Sequence, residues 1–156
     1  MDGVLIVIAI LAVGAWQTRG HVRGAAPNFA LQVLDGSTAT LASFAGKPTL
    51  LAFWAPWCGV CRANEGSVEQ LKEWAGDRAH VVSVASDYRD PEEIRAYAAE
   101  HHLGDPVLLG GKATARAYGV QAFPTYYFLD EAGRITGSSV GYTTSVGMAA
   151  RLFALP

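Results

Sequence analysis

Apolar positions recur along the chain with different periods, and each change of period marks an element. Val4 to Ala15 is apolar throughout apart from Gly14 and carries no charge, so it has no polar face to turn to water. Phe29-Ala-Leu-Gln-Val-Leu34 alternates and then meets Asp35-Gly36, which predicts a hairpin. Leu41 to Gly46 reads as one helical turn closed by glycine. Pro48-Thr-Leu-Leu-Ala-Phe-Trp54 is a continuous apolar run, as expected of a strand covered on both faces.

The period then becomes helical. Cys61, Val68, Leu71 and Ala75 share one face, Arg62, Glu65, Glu69 and Lys72 occupy others, and Gly76 closes the helix. Val81 to Ala85 predicts a second buried strand. Asp90 is placed to cap a helix with Pro91 at its first position and acids in its first turn, running to about His101. Pro106 to Leu109 is a short extended piece, and Lys112 to Tyr118 a short helix ended by Gly119. Phe123 to Leu129 is rich in β-formers, and Asp130 to Gly133 turns it into Arg134 to Val140. Tyr126 and Tyr127 alternate along that strand, so at most one is expected to face the core. Thr144 caps a last amphipathic helix to Phe153. Strands alternating with helices predict an α/β fold with a central sheet covered on both faces.

Three segments follow from this order: an apolar segment over residues 1–17, a glycine- and arginine-bearing linker over 18–28, and one domain over 29–156. The stretch from Gly3 to Trp16 would span about 21 Å as a helix, against the roughly 30 Å of a hydrocarbon core. One reading is a signal segment cut after Val13-Gly14-Ala15, although Asp2 stands where a basic region belongs. The other is a membrane anchor beginning outside this chain, with Trp16 at the interface. A buried core helix is the plainer alternative, and it is disfavoured because the segment is apolar on every face. Arg19 and Arg23 after the apolar run argue by charge alone for the opposite orientation, so the redox chemistry sets it instead. Net charge is −2 with no Lys/Arg cluster, which excludes a nucleic-acid partner on electrostatic grounds.

The only cysteines, Cys58 and Cys61, stand three apart where strand gives way to helix. Residues at that spacing are neighbours on a helix, and it suits a disulfide, whose Cα atoms lie about 5.5–6 Å apart. A helix start offers free N–H groups and a positive dipole end, both favouring a thiolate. One pair cannot staple a fold. It reads as a redox dithiol, half a metal site, or two inert buried thiols. Zinc wants four ligands, and His21, His80, His101 and His102 form no zinc spacing with the pair, so no metal site is predicted. Thiolates also select Cu(I), but a buried aromatic strand precedes the motif in place of an exposed Met-rich loop. Inert thiols are disfavoured by the position at a helix start. Gly110-Gly111-Lys112 fails as a phosphate loop at both ends, with Pro106 and Ala113 at the defining positions. His101-His102 at a helix end is assigned to the helix dipole in preference to a metal.

Phe53-Trp-Ala-Pro-Trp-Cys-Gly-Val-Cys61, the helix after it and Phe123-Pro124-Thr125 resemble a thioredoxin-fold oxidoreductase, from about Pro27 onward. The Phe29 to Gly46 hairpin and the segment before Pro124 are similar to the membrane-anchored, periplasm-facing TlpA/ResA branch. Cys58 to Gly66, Tyr118 to Thr125 and Val140 to Thr144 resemble the bacterial suppressor-of-copper-sensitivity D (ScsD-like) proteins. The resemblance implies a thioredoxin-like fold: a mixed central sheet flanked by helices, with an N-terminal β-hairpin extension. It implies Cys58, the more exposed sulfur, as nucleophile and Cys61 as resolving thiol, with Pro56, Trp57, Gly59, Val60 and Glu65 in support. Phe123, Pro124 and Thr125 would bind substrate, Pro124 being cis where residues alone suggest an ordinary strand-opening proline.

The same resemblance implies no cofactor beyond the Cys58–Cys61 disulfide. Its partners would be cysteine-bearing envelope proteins and a membrane electron donor of the DsbD/ScsB type. The implied place is the bacterial periplasm, tethered to the inner membrane, and the implied role a reductant linked to copper or oxidative stress. Reduction of apocytochrome cysteines, Cu(I) binding by the same sulfurs, and a catalytically silent interaction module are the alternatives. Two positions depart from the family. Thioredoxins bury an Asp where this chain has Ala52, and the TlpA/ResA branch often has a Glu where it has Asn64. Glu65 lies about 100° round the helix from Asn64. Glu65, Asp87 or a water is left to move the resolving thiol's proton.

Overall fold

A computed structural model describes residues 2–104 and 106–154. In chain order the elements are α1 (Asp2–Gln17), β1 (Gly24–Ala25), β2 (Ala30–Gln32), β3 (Thr38–Thr40), β4 (Thr49–Trp54), α2 (Gly59–Ala75), β5 (His80–Ala85), α3 (Pro91–Glu100), β6 (Val107–Leu109), α4 (Gly111–Ala117), β7 (Thr125–Leu129), β8 (Arg134–Val140) and α5 (Ser145–Leu152). Six strands form one mixed sheet in the order β1-β8-β7-β4-β5-β6, while β2 and β3 form a separate hairpin. β4 runs parallel to β5 and antiparallel to β7, and all six of its residues are buried. This is the thioredoxin-like architecture that the resemblance implied. It explains the unbroken apolar run, since a central strand has no face left for water.

The two sheet faces build two cores. Leu51, Phe53, Tyr118 and Tyr127 meet the β2–β3 hairpin side, while Leu50, Tyr126, Phe128 and Met148 meet α2 and α5. Tyr126 and Tyr127 are therefore both buried, against the expectation that one would face water. β7 lies between β4 and β8, so alternation sends the two rings into opposite cores and neither out of the protein.

Residues 18–28, read from the sequence as a linker, lie against the domain. β1 pairs with β8 through Gly24–Ile135 and Ala25–Arg134. His21 is buried with its Nδ1 2.8 Å from Ser138 Oγ, and the Tyr118 hydroxyl donates to the Pro27 carbonyl at 2.8 Å. Gly119, at φ 66°, sits so close to the Gly20 carbonyl that any Cβ there would collide with it. The physical reason is an exposed sheet edge, which β1 covers. At the opposite edge Leu34 N–H donates to the Val107 carbonyl at 3.0 Å, so the hairpin shields β6. The side chains of α1 from Gly3 to Trp16 are exposed, and among the described residues no helix is long and apolar enough to cross a membrane.

Candidate active site

The end of β4 and the start of α2 place the two sulfurs. After Trp54 the chain turns tightly, with Cys58 N–H donating to the Ala55 carbonyl at 3.1 Å. Cys58 becomes the N-cap of α2, in extended backbone, and its Sγ accepts the Cys61 N–H at 3.1 Å. One of the helix's free N–H groups is thus satisfied by a sulfur. The Cys58–Cys61 disulfide joins Cα atoms 5.3 Å apart.

Cys58 and Cys61 are 6% and 5% exposed, so the expected difference in exposure is very small. Position separates them instead. Cys58 is flanked by Trp57, 65% exposed, and by exposed Gly59 and Val60. Trp57 meets the Phe123 ring edge-on at 5.9 Å. Cys61 lies one turn into the helix; both cysteines pack with Trp54, Ile94 and Tyr97, but Cys61 and not Cys58 also borders the cavity lined by Glu65. Buried Pro56 supports the turn from below.

The register Phe53–Thr125 between β4 and β7 brings Phe123 and Pro124 beside the motif. The Phe123–Pro124 bond is cis, and the Phe123 carbonyl oxygen lies 3.5 Å from Cys58 Sγ. Thr125 is not at the surface. It is fully buried in β7 with its hydroxyl donating to the Ala122 carbonyl at 2.7 Å.

Asn64 has a structural part that its sequence position did not disclose. It is fully buried, donates from Nδ2 to the Thr143 carbonyl at 2.8 Å, and accepts the Thr143 N–H at 2.7 Å. That amide imitates a strand and clamps the loop whose Gly141 N–H donates to the Pro124 carbonyl at 2.9 Å. A carboxylate could accept from Thr143 but not donate to it.

Glu65 receives the Tyr97 hydroxyl and the Nδ1 of His101, the latter at 3.0 Å. With Ala52, Cys61, Pro124 and Tyr126 it lines a cavity of about 30 Å³ beside the disulfide. The Tyr97 hydroxyl is pushed up to about 12, chiefly by burial and then by its bond to Glu65, with Arg62 opposing. His101, assigned from the sequence to the helix dipole, instead turns its ring to Glu65 and stacks on Tyr97 at 4.1 Å. Asp87 stands apart in an ion pair with Lys112 Nζ at 3.2 Å. Tyr97 joins the site from α3 without being a candidate from the sequence. Its signal was present: Ile94, Tyr97 and His101 recur at helical spacing along α3. Among the described residues no group of three or more His, Cys, Asp and Glu side chains is placed to hold a metal ion.

The chain matches the family described as Redoxin over residues 22–152. It is 36% identical over 129 residues to the thioredoxin-like protein YneN of Bacillus subtilis, covering 81% of this chain and 76% of YneN. To the thiol-disulfide oxidoreductase ResA of Bacillus thuringiensis it is 26% identical over 121 residues, covering 76% and 69% of the two chains. Among solved structures, the exposed lipoprotein thioredoxin of Streptococcus pneumoniae aligns with a TM-score of 0.72 at 27% identity, covering 83% of this chain and 100% of that one.

Proposed function

The chain belongs to the Redoxin family as a thioredoxin-like thiol–disulfide oxidoreductase, and from that premise we propose that it reduces protein disulfides outside the cytoplasm, with Cys58 attacking and Cys61 resolving. The observation that carries this reading is the Cys58 sulfur. It caps α2, accepts the Cys61 N–H, and faces the Phe123 carbonyl at 3.5 Å beside exposed Trp57 and Val60.

In the reduced protein the Cys58 thiolate attacks one sulfur of a substrate disulfide. That bond breaks, and its electron pair leaves on the other substrate sulfur, which takes a proton. The Cys61 thiolate then attacks Cys58 Sγ, expelling the second substrate sulfur and closing the Cys58–Cys61 disulfide. Two electrons pass to the substrate, and a membrane dithiol donor of the DsbD/ScsB type restores them. Phe123 and Pro124 border the sulfur that a substrate must reach, and buried Thr125 holds their strand in register.

Direction follows from charge. Gly59-Val60 brings no cation between the cysteines, so the Cys58 thiolate gains its stabilisation from the helix start without a cationic neighbour in the motif. A reduced state less favoured than that of a strong oxidant means a more reducing couple. Placement outside the cytoplasm is supported by the likeness to an exposed lipoprotein thioredoxin, and the bacterial periplasm is proposed on the resemblance to the ScsD-like proteins. The apolar α1 supports an attachment to membrane on the N-terminal side. Cysteine-bearing envelope proteins are the substrates, and the likeness of Cys58 to Gly66 to the ScsD-like proteins supports a role under copper or oxidative stress.

Cys58→Ser is expected to lower reduction of a small-molecule disulfide by about 10³-fold or more, as removal of the nucleophile does. Cys61→Ser should hold envelope partners as mixed disulfides on Cys58, and an empty trap in cells would count against protein substrates. A reduction potential near the roughly −120 mV of strong oxidants would overturn the reductant direction.

A further inference from the structure

We propose that Glu65, held by Tyr97 and His101, takes the proton of Cys61 during resolution by way of the cavity beside the disulfide; this rests on the exchange reading above. The two positions where relatives keep acids cannot serve. Ala52 brings only a methyl group to the cavity, and both ends of the Asn64 amide are bound to Thr143. Glu65 lines that cavity together with Cys61. Its volume of about 30 Å³ exceeds the roughly 10–15 Å³ that one water needs. Trp54 also lines it, and its buried indole N–H has no protein partner, a donor for such a water.

The groups around Glu65 favour this assignment. From α3, Tyr97 and His101 each direct a hydrogen to the carboxylate, and from α2 the Arg62 guanidinium lies 5.9 Å from the centre of the Tyr97 ring. Glu69, the other acid at the cavity, is engaged by Lys72 Nζ and by Gly104 N–H, both at 3.3 Å. The sheet contributes only neutral groups, Ser83 from β5 and Tyr126 from β7. Glu65 is thus fixed in place by two donors one turn of α2 beyond Cys61, whereas Glu69 stands a further turn away.

In the mixed disulfide the Cys61 thiol gives its proton through the cavity to the Glu65 carboxylate. The Cys61 sulfur forms a bond to Cys58 Sγ, the bond from Cys58 to the substrate sulfur breaks, and that sulfur leaves with the electron pair. Glu65 returns the proton to the departing thiolate or to solvent. Tyr97 and His101 are positioning residues: both bond Glu65, and neither exchanges a proton or a bond with the sulfurs.

The test uses the reduced full chain and the aromatic disulfide of 5-thio-2-nitrobenzoate, whose two thiols are released in sequence. The first release reports attack by Cys58 and the second reports resolution by Cys61. Glu65→Gln is expected to leave the first release intact and slow the second at least about tenfold near neutral pH, with the deficit shrinking toward about pH 9 as hydroxide takes the proton. His101→Asn and Tyr97→Phe should keep the second release but move the midpoint of its pH profile, and Glu65→Asp should restore part of it. Asp87→Asn should change neither phase. A second release in Glu65→Gln that equals the wild type, or is slowed by the same factor at every pH, overturns the relay alone. No first release in the wild-type protein overturns the exchange reading and the relay together. Were Glu65→Gln to misfold, an unchanged pH midpoint in both Tyr97→Phe and His101→Asn would overturn the relay by itself.

Discussion

Cys58 and Cys61 are equally buried, yet they stand in two different surroundings. The Cys58 side is a shallow edge of exposed rings and backbone: Trp57, Val60, and the Phe123 carbonyl before Pro124. The Cys61 side is a small cavity lined by Glu65, Glu69, Trp54 and Tyr126, with Tyr97 packed beside it. Accessibility is therefore a poor guide to which sulfur meets substrate. Neighbours decide it, because the outer side offers contacts to another chain and the inner side offers a place for a proton.

If that contrast is right, damage on the inner side of α2 should appear as lost stability, and damage on the outer edge as lost recognition. Asn64→Ala should have the largest effect on stability. It strips a fully buried amide from two backbone groups of Thr143 and leaves a hole, a loss of about 3 kcal/mol in urea unfolding. A loss below about 1 kcal/mol would mean that the clamp holds little. Trp57→Ala should shift unfolding by no more than about 0.5 kcal/mol, as exposed positions do. It should nevertheless raise KM for a protein disulfide by about fivefold, since about 1 kcal/mol of apolar contact goes with the ring. An unchanged KM would remove Trp57 from the recognition edge.

The smallest effect is expected from His21, remote from both sides. Burial lowers its pKa below the ordinary value of 6.5, so the folded protein binds its proton less readily than the unfolded chain. The stability it contributes is present above about pH 6.5 and is lost as pH falls through the depressed folded value. His80, lowered by burial and by Lys47, adds a term of the same sign. Melting across that window should show a fall toward acid that is shallower in His21→Gln, and an identical slope would remove His21 from the account.

Much of this was legible in the chain because local rules and tertiary packing agree there. Asp90 and Thr144 cap their helices as expected, accepting from Glu93 and Gly147 N–H groups, and the face made by Cys61, Val68, Leu71 and Ala75 is buried. What was missed depends on neighbours distant in sequence. Residues 18–28 look like a tether until β8 presents an edge for them to cover. Tyr126 and Tyr127 look amphipathic until strands close on either side of them. Ala52 and Asn64 look like missing acids, but Glu65 and Glu69 stand at the cavity, and only the approach of α3 shows how Glu65 is held there. His101 is thirty-six residues from Glu65, a contact no periodicity reports.

The division of labour between the sulfurs is tested most directly by limiting alkylation of the reduced protein, read at each cysteine by peptide mass spectrometry. Near neutral pH the label should fall on Cys58 over Cys61 by about tenfold or more, because only Cys58 combines the helix N-cap with the outer edge. Equal labelling, or a preference for Cys61, would contradict the assignment.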